Sequence, residues 1–324
     1  MVSYSWINFQ IVFSILSVFL IVLLDQGLYA DAQELNRQKF NFVAAGDWGC
    51  DHDAIRTFSM MKSMEPELYL GLGDYSYEKS IDCWIDIIKS AGDAFKISLG
   101  NHDTEGKLLQ AYMNEFELEK QYYSFNYLNA HYIALSTELD NSDQLEQLQF
   151  LRNDLLRTKS NPNIDWTIIF FHRPFYSASA SEFPSMTKTY HPIFEEFGVD
   201  LVLQGHSHNY QRTYPLLFND ETHSKPIISD KEQTHYIDPK GVIFVVAGTG
   251  GESIQPLNKK SYLVSTYEGY GCLDVEINGN SMNVEYYSDT NDSIDRFTIT
   301  KEPQLKNLNE KTQLQEIQYN QRTK

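Results

Sequence analysis

At 324 residues the chain is long enough for one large domain or two small ones, and for a substantial buried core. Charged residues at 22% and aromatic residues at 14% fit a folded globular chain and exclude disorder as its main state. With 44 Asp and Glu against 26 Lys and Arg the formal net charge is -18, which argues against nucleic acid as a stable partner, because phosphate attraction needs basic patches.

The amino terminus departs from this composition. An apolar core from Ile11 to Leu24 precedes a polar stretch in which Ala30 and Ala32 have the A-x-A spacing of a signal-peptidase site. That core is short for a membrane span, although counting from Trp6 lengthens it. Residues 1–32 are therefore expected to be an export signal, with an uncleaved anchor over residues 6–24 as the alternative and as the chain's one membrane contact. Either way the folded part is expected outside the cytoplasm, secreted or at the cell surface.

No repeat and no Pro- or Gly-rich linker interrupts residues 38–300, which read as one domain. Within them a unit recurs: an apolar run rich in β-branched and aromatic residues, a polar loop, then a helical pattern. FNFVAAGDWG leads into DHDAIRTFSMMKSM, where Asp51 or Asp53 is placed to cap a helix. ELYLGLGD, AFKISLGNHD, DWTIIFFHRP and VDLVLQGHSH repeat the passage from strand to loop. Their near-continuous apolar runs predict strands covered on both faces, as in layered α/β folds. YSFNYLNAHYIALST predicts a hairpin. SDQLEQLQFLRNDLLRTK predicts an amphipathic helix with Leu145, Leu148, Leu151 and Leu155 along one side. CLDVEINGNSMNVEYYS predicts a second hairpin, turning at Asn278-Gly279. Residues 303–324 are polar and aperiodic, a loose tail by composition. Three cysteines make no disulfide framework: Cys50 and Cys83 could pair in an exported protein and leave Cys272 free in a strand, or all three could be isolated buried thiols.

Five strand ends carry side chains capable of chemistry: Asp47; Asp74 with Tyr77; Asn101, His102 and Asp103; His172; and His206 with His208. Each alone reads most simply as a turn residue, a cap or a hydrogen-bonded core histidine. Together they lie beyond the carboxyl ends of apolar strands, where open α/β sheets build their sites. They combine oxygen, amide and imidazole donors without a cysteine, a mixture suited to hard or borderline first-row metals. The remaining histidines, His52, His131, His191, His223 and His235, lack ligand spacing and read as structural, His191 at a helix start before Pro192.

GDWG, GDYSY, GNHD, FFHRP and GHSH, in this order and at these spacings, resemble the five motifs of the calcineurin-like metallophosphoesterases, from about residue 40 to 300. Most members of that superfamily place a histidine two residues after the first aspartate, where this chain has Gly49. The missing histidine and the sequence Gly73-Asp74-Tyr75-Ser76-Tyr77 resemble the purple acid phosphatase branch, of the tartrate-resistant acid phosphatase type. HRPFYS, GHSHNYQRTYP, VAGTGG and YGCLDVEINGNSMNVEYY are similar to that branch as well.

The resemblance implies an α/β fold of the metallophosphoesterase type, a four-layer α/β/β/α sandwich. It also implies a dinuclear metal centre of Fe(III) with a divalent ion (Fe, Zn or Mn). Fe(III) would take Asp47, Tyr77, His208 and the shared Asp74, and the divalent ion Asp74, Asn101, His172 and His206, while Tyr75 would pack. Five metal charges, less two carboxylates, one phenolate and one hydroxide, leave about +1 at the centre, enough to draw a small phosphate ester despite the acidic surface. The implied activity is that of an acid phosphatase, hydrolysing phosphate monoesters by attack of a metal-bound hydroxide. His102 would bind phosphate or protonate the leaving group, with Asp103 orienting it or serving with it as a structural pair. Two departures stand out. Larger plant members carry an amino-terminal β-domain, whereas the first motif here follows soon after the leader. Their histidine pair beyond the fourth motif is replaced by Ala180, Ser181 and Glu182, so leaving-group acid and specificity do not carry over. The alternatives are a phosphodiesterase or nucleotidase with Mn or Zn in both sites, and a non-catalytic surface-binding protein on the same fold.

Overall fold

The computed structural model describes residues 39–179 and 183–302; the expected leader, the tail and the departure at residues 180–182 lie outside them. Strand and helix alternate at first: β1 (Phe40–Ala45), α1 (His52–Ser63), β2 (Leu68–Gly71), α2 (Asp82–Ile88), β3 (Phe95–Ile97) and α3 (Leu108–Glu115). A hairpin of β4 (Tyr123–Tyr127) and β5 (Ala130–Ala134) follows, then α4 (Asn141–Lys159), β6 (Trp166–Phe170), α5 (Pro184–Phe197) and β7 (Leu201–Gln204). The rest is β-structure: β8 (Tyr210–Thr213), β9 (Leu216–Leu217), β10 (Ile227–Ile228), β11 (His235–Ile237), β12 (Ile243–Ala247), β13 (Leu263–Tyr267), β14 (Gly271–Asn278), β15 (Ser281–Ser288) and β16 (Ser293–Thr300).

Two seven-stranded sheets result, ordered β11-β16-β15-β14-β1-β2-β3 and β13-β8-β12-β7-β6-β5-β4. Strands β1 to β3 run parallel, as do β5, β6, β7 and β12, so their carboxyl ends gather at one end of each sheet. Period-two alternation assigns the layers. On β1, Phe42 and Ala44 enter the core between the sheets, where Leu70, Tyr132, Ile168, Phe170 and Leu203 meet them. Val43 and Ala45 face the other way, into a core with Phe58 and Met61 of α1 and Trp84 of α2. Ile133, Ile169 and Val202 of the second sheet likewise pack against Leu151 and Leu155 of α4 and Phe194 of α5. The order of layers is α/β/β/α, as the motif resemblance implies, and burial on both faces explains the continuous apolar runs. A polar pin crosses between the sheets at β8 and β16. Arg212 of β8 donates to both carboxylate oxygens of Asp295 on β16, at 2.5 and 2.8 Å, and Tyr210 donates to the same carboxylate at 2.7 Å.

Several local expectations need correction. Asp51 is the residue before α1, but its side chain makes no capping bond, and Asp53 is turned to Arg56 instead. Leu145 is 63% exposed, because α4 buries the stripe through Leu151 and Leu155 only from its second turn on. The β14–β15 register pairs Asn278 with Ser281, so the loop is Gly279-Asn280, one residue later than expected, and Gly279 supplies the left-handed φ of 56°. Cys50 and Cys83 are disulfide-bonded, with Cα atoms 5.8 Å apart, while Cys272 is buried and free in β14. His191 lies inside α5 rather than at its start, fully buried, bonded through Nδ1 to the Tyr176 hydroxyl and through Nε2 to the Leu216 carbonyl.

That last placement has a consequence in acid. Burial holds the His191 imidazole down to about 3 from its ordinary 6.5. The unfolded chain therefore binds a proton that the folded chain does not between those values. The stabilising contribution is complete above pH 6.5 and is lost as pH falls, by about 1.4 kcal/mol per unit. Between pH 7 and pH 5, His191→Gln should lose about 2 kcal/mol less stability than the parent chain in urea titrations. Parallel losses in the two proteins would mean that His191 is not the group responsible.

Candidate metal centre

Three loops leave the first sheet together. The amides of Asp47, Trp48 and Gly49 donate to the carbonyls of Gly73, Asp74 and Tyr75, each at 2.9 Å, so the first two motifs continue side by side past their strands. The Cys50–Cys83 disulfide then ties the first loop to α2, just beyond the second. Four residues at the strand ends have left-handed backbone: Asp47 (φ 58°), Asp74 (54°), Tyr77 (54°) and His206 (65°). Such conformations cost a residue with a Cβ about 1–2 kcal/mol, and they persist where the surroundings over-determine them. Gly73 must be glycine, because with φ of +86° a Cβ there would lie 2.6 Å from His172 Nδ1.

The donors gather in two groups that meet at one oxygen. In the first group the Tyr77 hydroxyl lies 3.2 Å from Asp47 Oδ1 and 3.2 Å from His208 Nε2, which is itself 3.3 Å from Asp47 Oδ1. In the second, His172 Nε2 is 3.2 Å from His206 Nδ1, and Asp74, His172 and His206 offer ligand atoms all within 4.8 Å of one another. Asp74 Oδ2 belongs to both groups: it is 3.1 Å from His172 Nε2 and 3.4 Å from the Tyr77 hydroxyl. Its other oxygen accepts the backbone amide of His102 at 2.8 Å. Among the described residues Asn101 Oδ1 is buried with no hydrogen-bond partner, a costly state for an amide oxygen and one that a cation would relieve. The residues present therefore fit a pair of ions. Tyr75 is elsewhere: its hydroxyl donates to the Ser98 carbonyl at 2.6 Å, and its ring packs 4.1 Å from that of Trp84.

Backbone carbonyls set the imidazole orientations. His172 Nδ1 donates to the Leu72 carbonyl and His208 Nδ1 to the Ser253 carbonyl, both at 2.8 Å, which leaves Nε2 of each ring aimed at the cluster. Sequence reasoning missed these partners, since a carbonyl leaves no mark on residue type. It also passed over Glu252, whose carboxylate lies opposite the Cβ position of Gly49, 3.6 Å from it, where the superfamily's histidine would project.

Carboxylates dominate the electrostatics of the cluster. Burial pushes the Tyr77 phenol up, and the carboxylates of Asp47, Asp74 and Glu252 push it further, so the group is a neutral donor. Burial opposes charge on His172, but the Asp74 carboxylate outweighs it and lifts the imidazole well above its ordinary value. His206 goes the other way, held down to about 3 by burial and then by the charge of His172.

His102 and Asp103 separate in role. The His102 side chain is 43% exposed, with its ring 4.6 Å from that of Tyr77 and its Nδ1 3.8 Å from Glu105. Asp103 does not orient that imidazole. Its buried carboxylate accepts the amides of Asp74 (2.7 Å), Gly100 (2.8 Å) and Tyr75 (2.9 Å), fastening the second motif to the third.

Removing a donor should release metal. His206→Ala and Asn101→Ala should each weaken metal binding by more than about 100-fold, beyond what loss of an outer hydrogen bond costs, while Tyr75→Phe should leave metal content unchanged. Metal analysis after dialysis against a weak chelator reads the difference, and a His206→Ala protein with full metal content would move the site elsewhere.

The family profile for calcineurin-like phosphoesterases matches residues 40–210. Purple acid phosphatase 15 of Arabidopsis thaliana is 23% identical over 253 residues, covering 64% of this chain and 44% of its own length. The purple acid phosphatase from yellow lupin (Lupinus luteus) seeds shares the fold with a TM-score of 0.72 at 21% identity, covering 82% of this chain and 54% of its own. GAP50, the anchor in the inner membrane complex of Plasmodium, shares it at 0.63 and 15%, covering 82% of this chain and 90% of its own. The chain spans about half the length of the curated relatives it matches. The profile covers more than half of the chain and ends beyond the last of the five donor-bearing strand ends; the chain belongs to the calcineurin-like phosphoesterase family.

Proposed function

We propose that this chain is a phosphatase of the purple acid type, acting on small phosphate monoesters with Fe(III) and a divalent ion in its centre. One observation carries the reading: a single carboxylate oxygen, Asp74 Oδ2, stands between a group containing a phenol and a group of two imidazoles. Asp47, Tyr77, His208 and Asp74 would hold the trivalent ion, because a phenolate is an anionic oxygen donor that favours a hard, highly charged metal. Asp74, Asn101, His172 and His206 would hold the divalent ion, and Asn101 Oδ1 would gain the partner it lacks. When bound, the two ions would supply Lewis acidity to the phosphoryl group and activate water at low pH. The fold alone does not select this reading, since an anchor protein shares it; the complete donor set favours an enzyme over a non-catalytic binder.

The chain's own residues supply the rest. His102 stands at the exposed side of Tyr77, with its backbone fixed by Asp74, and is free to hold a proton for the departing alcohol oxygen. Asp103 keeps Asp74 and Tyr75 in place from behind and acts on the geometry alone. The Cys50–Cys83 disulfide supports a place outside the reducing cytoplasm.

Colour and pH test the reading. Iron-loaded protein should absorb in the visible through tyrosinate-to-Fe(III) charge transfer, which Tyr77→Phe should abolish and Tyr75→Phe should not. Monoester hydrolysis should be best in the acid range, and His102→Ala should retain both metals, lose on the order of 100-fold in rate and alter the high-pH limb. A colourless protein, active with Mn alone and only in alkali, would instead be the phosphodiesterase or nucleotidase of the wider superfamily.

A further inference from the structure

Beside the clustered histidines stands a cation that the chemistry above does not use. Arg173 directly follows His172, and its side chain is 24% exposed. Its Nε donates to Glu138 Oε1 at 2.6 Å and its Nη2 to Glu138 Oε2 at 2.9 Å. That pairing takes one edge of the guanidinium. The planar group has five N–H donors and a second bidentate edge, formed by Nη1 and Nη2. Among the described residues nothing else is hydrogen-bonded to that edge.

The group is held in position from two sides. Glu138 is fixed by the Thr137 hydroxyl, which donates to Oε1 at 2.8 Å, and by its own amide, which donates to the Ser136 hydroxyl at 3.2 Å. The guanidinium carbon lies 4.8 Å from the ring centroid of Phe183, and the same ring meets His206 edge-on at 5.4 Å. One aromatic ring therefore separates the guanidinium from a residue of the centre. An arginine needed only to brace two loops would be satisfied by Glu138. One with an edge that no described residue takes, fixed in place next to the centre, is pre-organised for a planar anion at little further entropic cost.

We propose that Arg173 is a specificity-determining residue that binds a second anionic group, carried by the alcohol portion of the ester. The preferred substrates are then phosphate monoesters bearing a further carboxylate or phosphate. The proposal rests on the phosphatase reading. It also meets a physical need, because a chain of net charge -18 repels a polyanionic ester unless a local cation compensates.

Phenyl phosphate and 4-carboxyphenyl phosphate differ only in the second charge, and the metal-loaded full chain should prefer the latter. Arg173→Gln should lower kcat/KM for the carboxylated ester about tenfold more than for phenyl phosphate, chiefly through KM, a difference worth ~1.4 kcal/mol. Arg173→Lys should restore part of the preference. The double variant Arg173→Gln with Glu138→Gln removes the pair without stranding a buried carboxylate, and should show the same loss of preference. Equal losses on both esters would reduce Arg173 to a brace and overturn the proposal. A parent chain that hydrolyses phenyl phosphate without any preference would overturn it too, leaving the phosphatase reading intact. Turnover of neither ester would remove both.

Discussion

Asp74 joins the two donor groups of the centre from a buried position. Its carboxylate is buried, its backbone is in a left-handed conformation, and one oxygen is claimed by the His102 amide. The other oxygen faces an imidazole on one side and a phenol on the other. A buried carboxylate is tolerable only with strong partners, and a strained backbone only where its neighbours leave no alternative. Asp103 provides that enforcement by accepting the amides of Asp74, Tyr75 and Gly100 with one buried carboxylate. The pair of aspartates is mutually costly: burial pushes Asp103 up and Asp74's charge pushes it further, against the pull of the Gly100 and Tyr75 amides. The cores above and below supply the stability that such an arrangement consumes, each fully buried Leu, Ile or Phe contributing about 1.5–3 kcal/mol.

The layering explains why the donors meet at all. Strands β1 to β3 run parallel, as do β5, β6, β7 and β12, so the loops that follow them exit at one end of each sheet. Asp47, Asp74 and Asn101 come from the first sheet, and His172, His206 and His208 from the second. Neither sheet alone has a complete set. The centre sits at the seam, where the His206 amide donates to Asp47 Oδ2 and His172 Nδ1 to the Leu72 carbonyl. Rigidity there comes from short backbone bonds rather than from long side chains, which is what a site with tight distance requirements needs.

Charge is distributed on two scales. The chain as a whole is strongly acidic, while at the centre carboxylates keep the Tyr77 phenol neutral and lift the His172 imidazole. Putting tyrosine into the second motif and glycine into the first exchanges a neutral donor for one that can become anionic. Glu252 stands opposite the glycine and adds to the negative field around Tyr77.

Much of this was legible in the residues. Apolar runs ending in Gly-Asp, Gly-Asn-His-Asp or Gly-His-Ser-His declare both the strands and the direction in which their ends carry chemistry, because period-two burial and turn glycine are properties of neighbours in sequence. The helix over Asn141–Lys159 and both hairpins were readable for the same reason. Distance in sequence hid the rest. Whether Tyr75 or Tyr77 faces the cluster depends on the left-handed turn at Asp74 and Tyr77, which only the packed loops enforce. The Cys50–Cys83 bond, the hold of Asp103 on three amides and the pairing of Glu138 with Arg173 all join segments whose approach the two-sheet stack decides. The sequence by itself determined which atoms could bind a metal, since donor chemistry belongs to the residue. Tertiary structure alone decided that they share one carboxylate oxygen, since that is a matter of distances set by two sheets packed face to face.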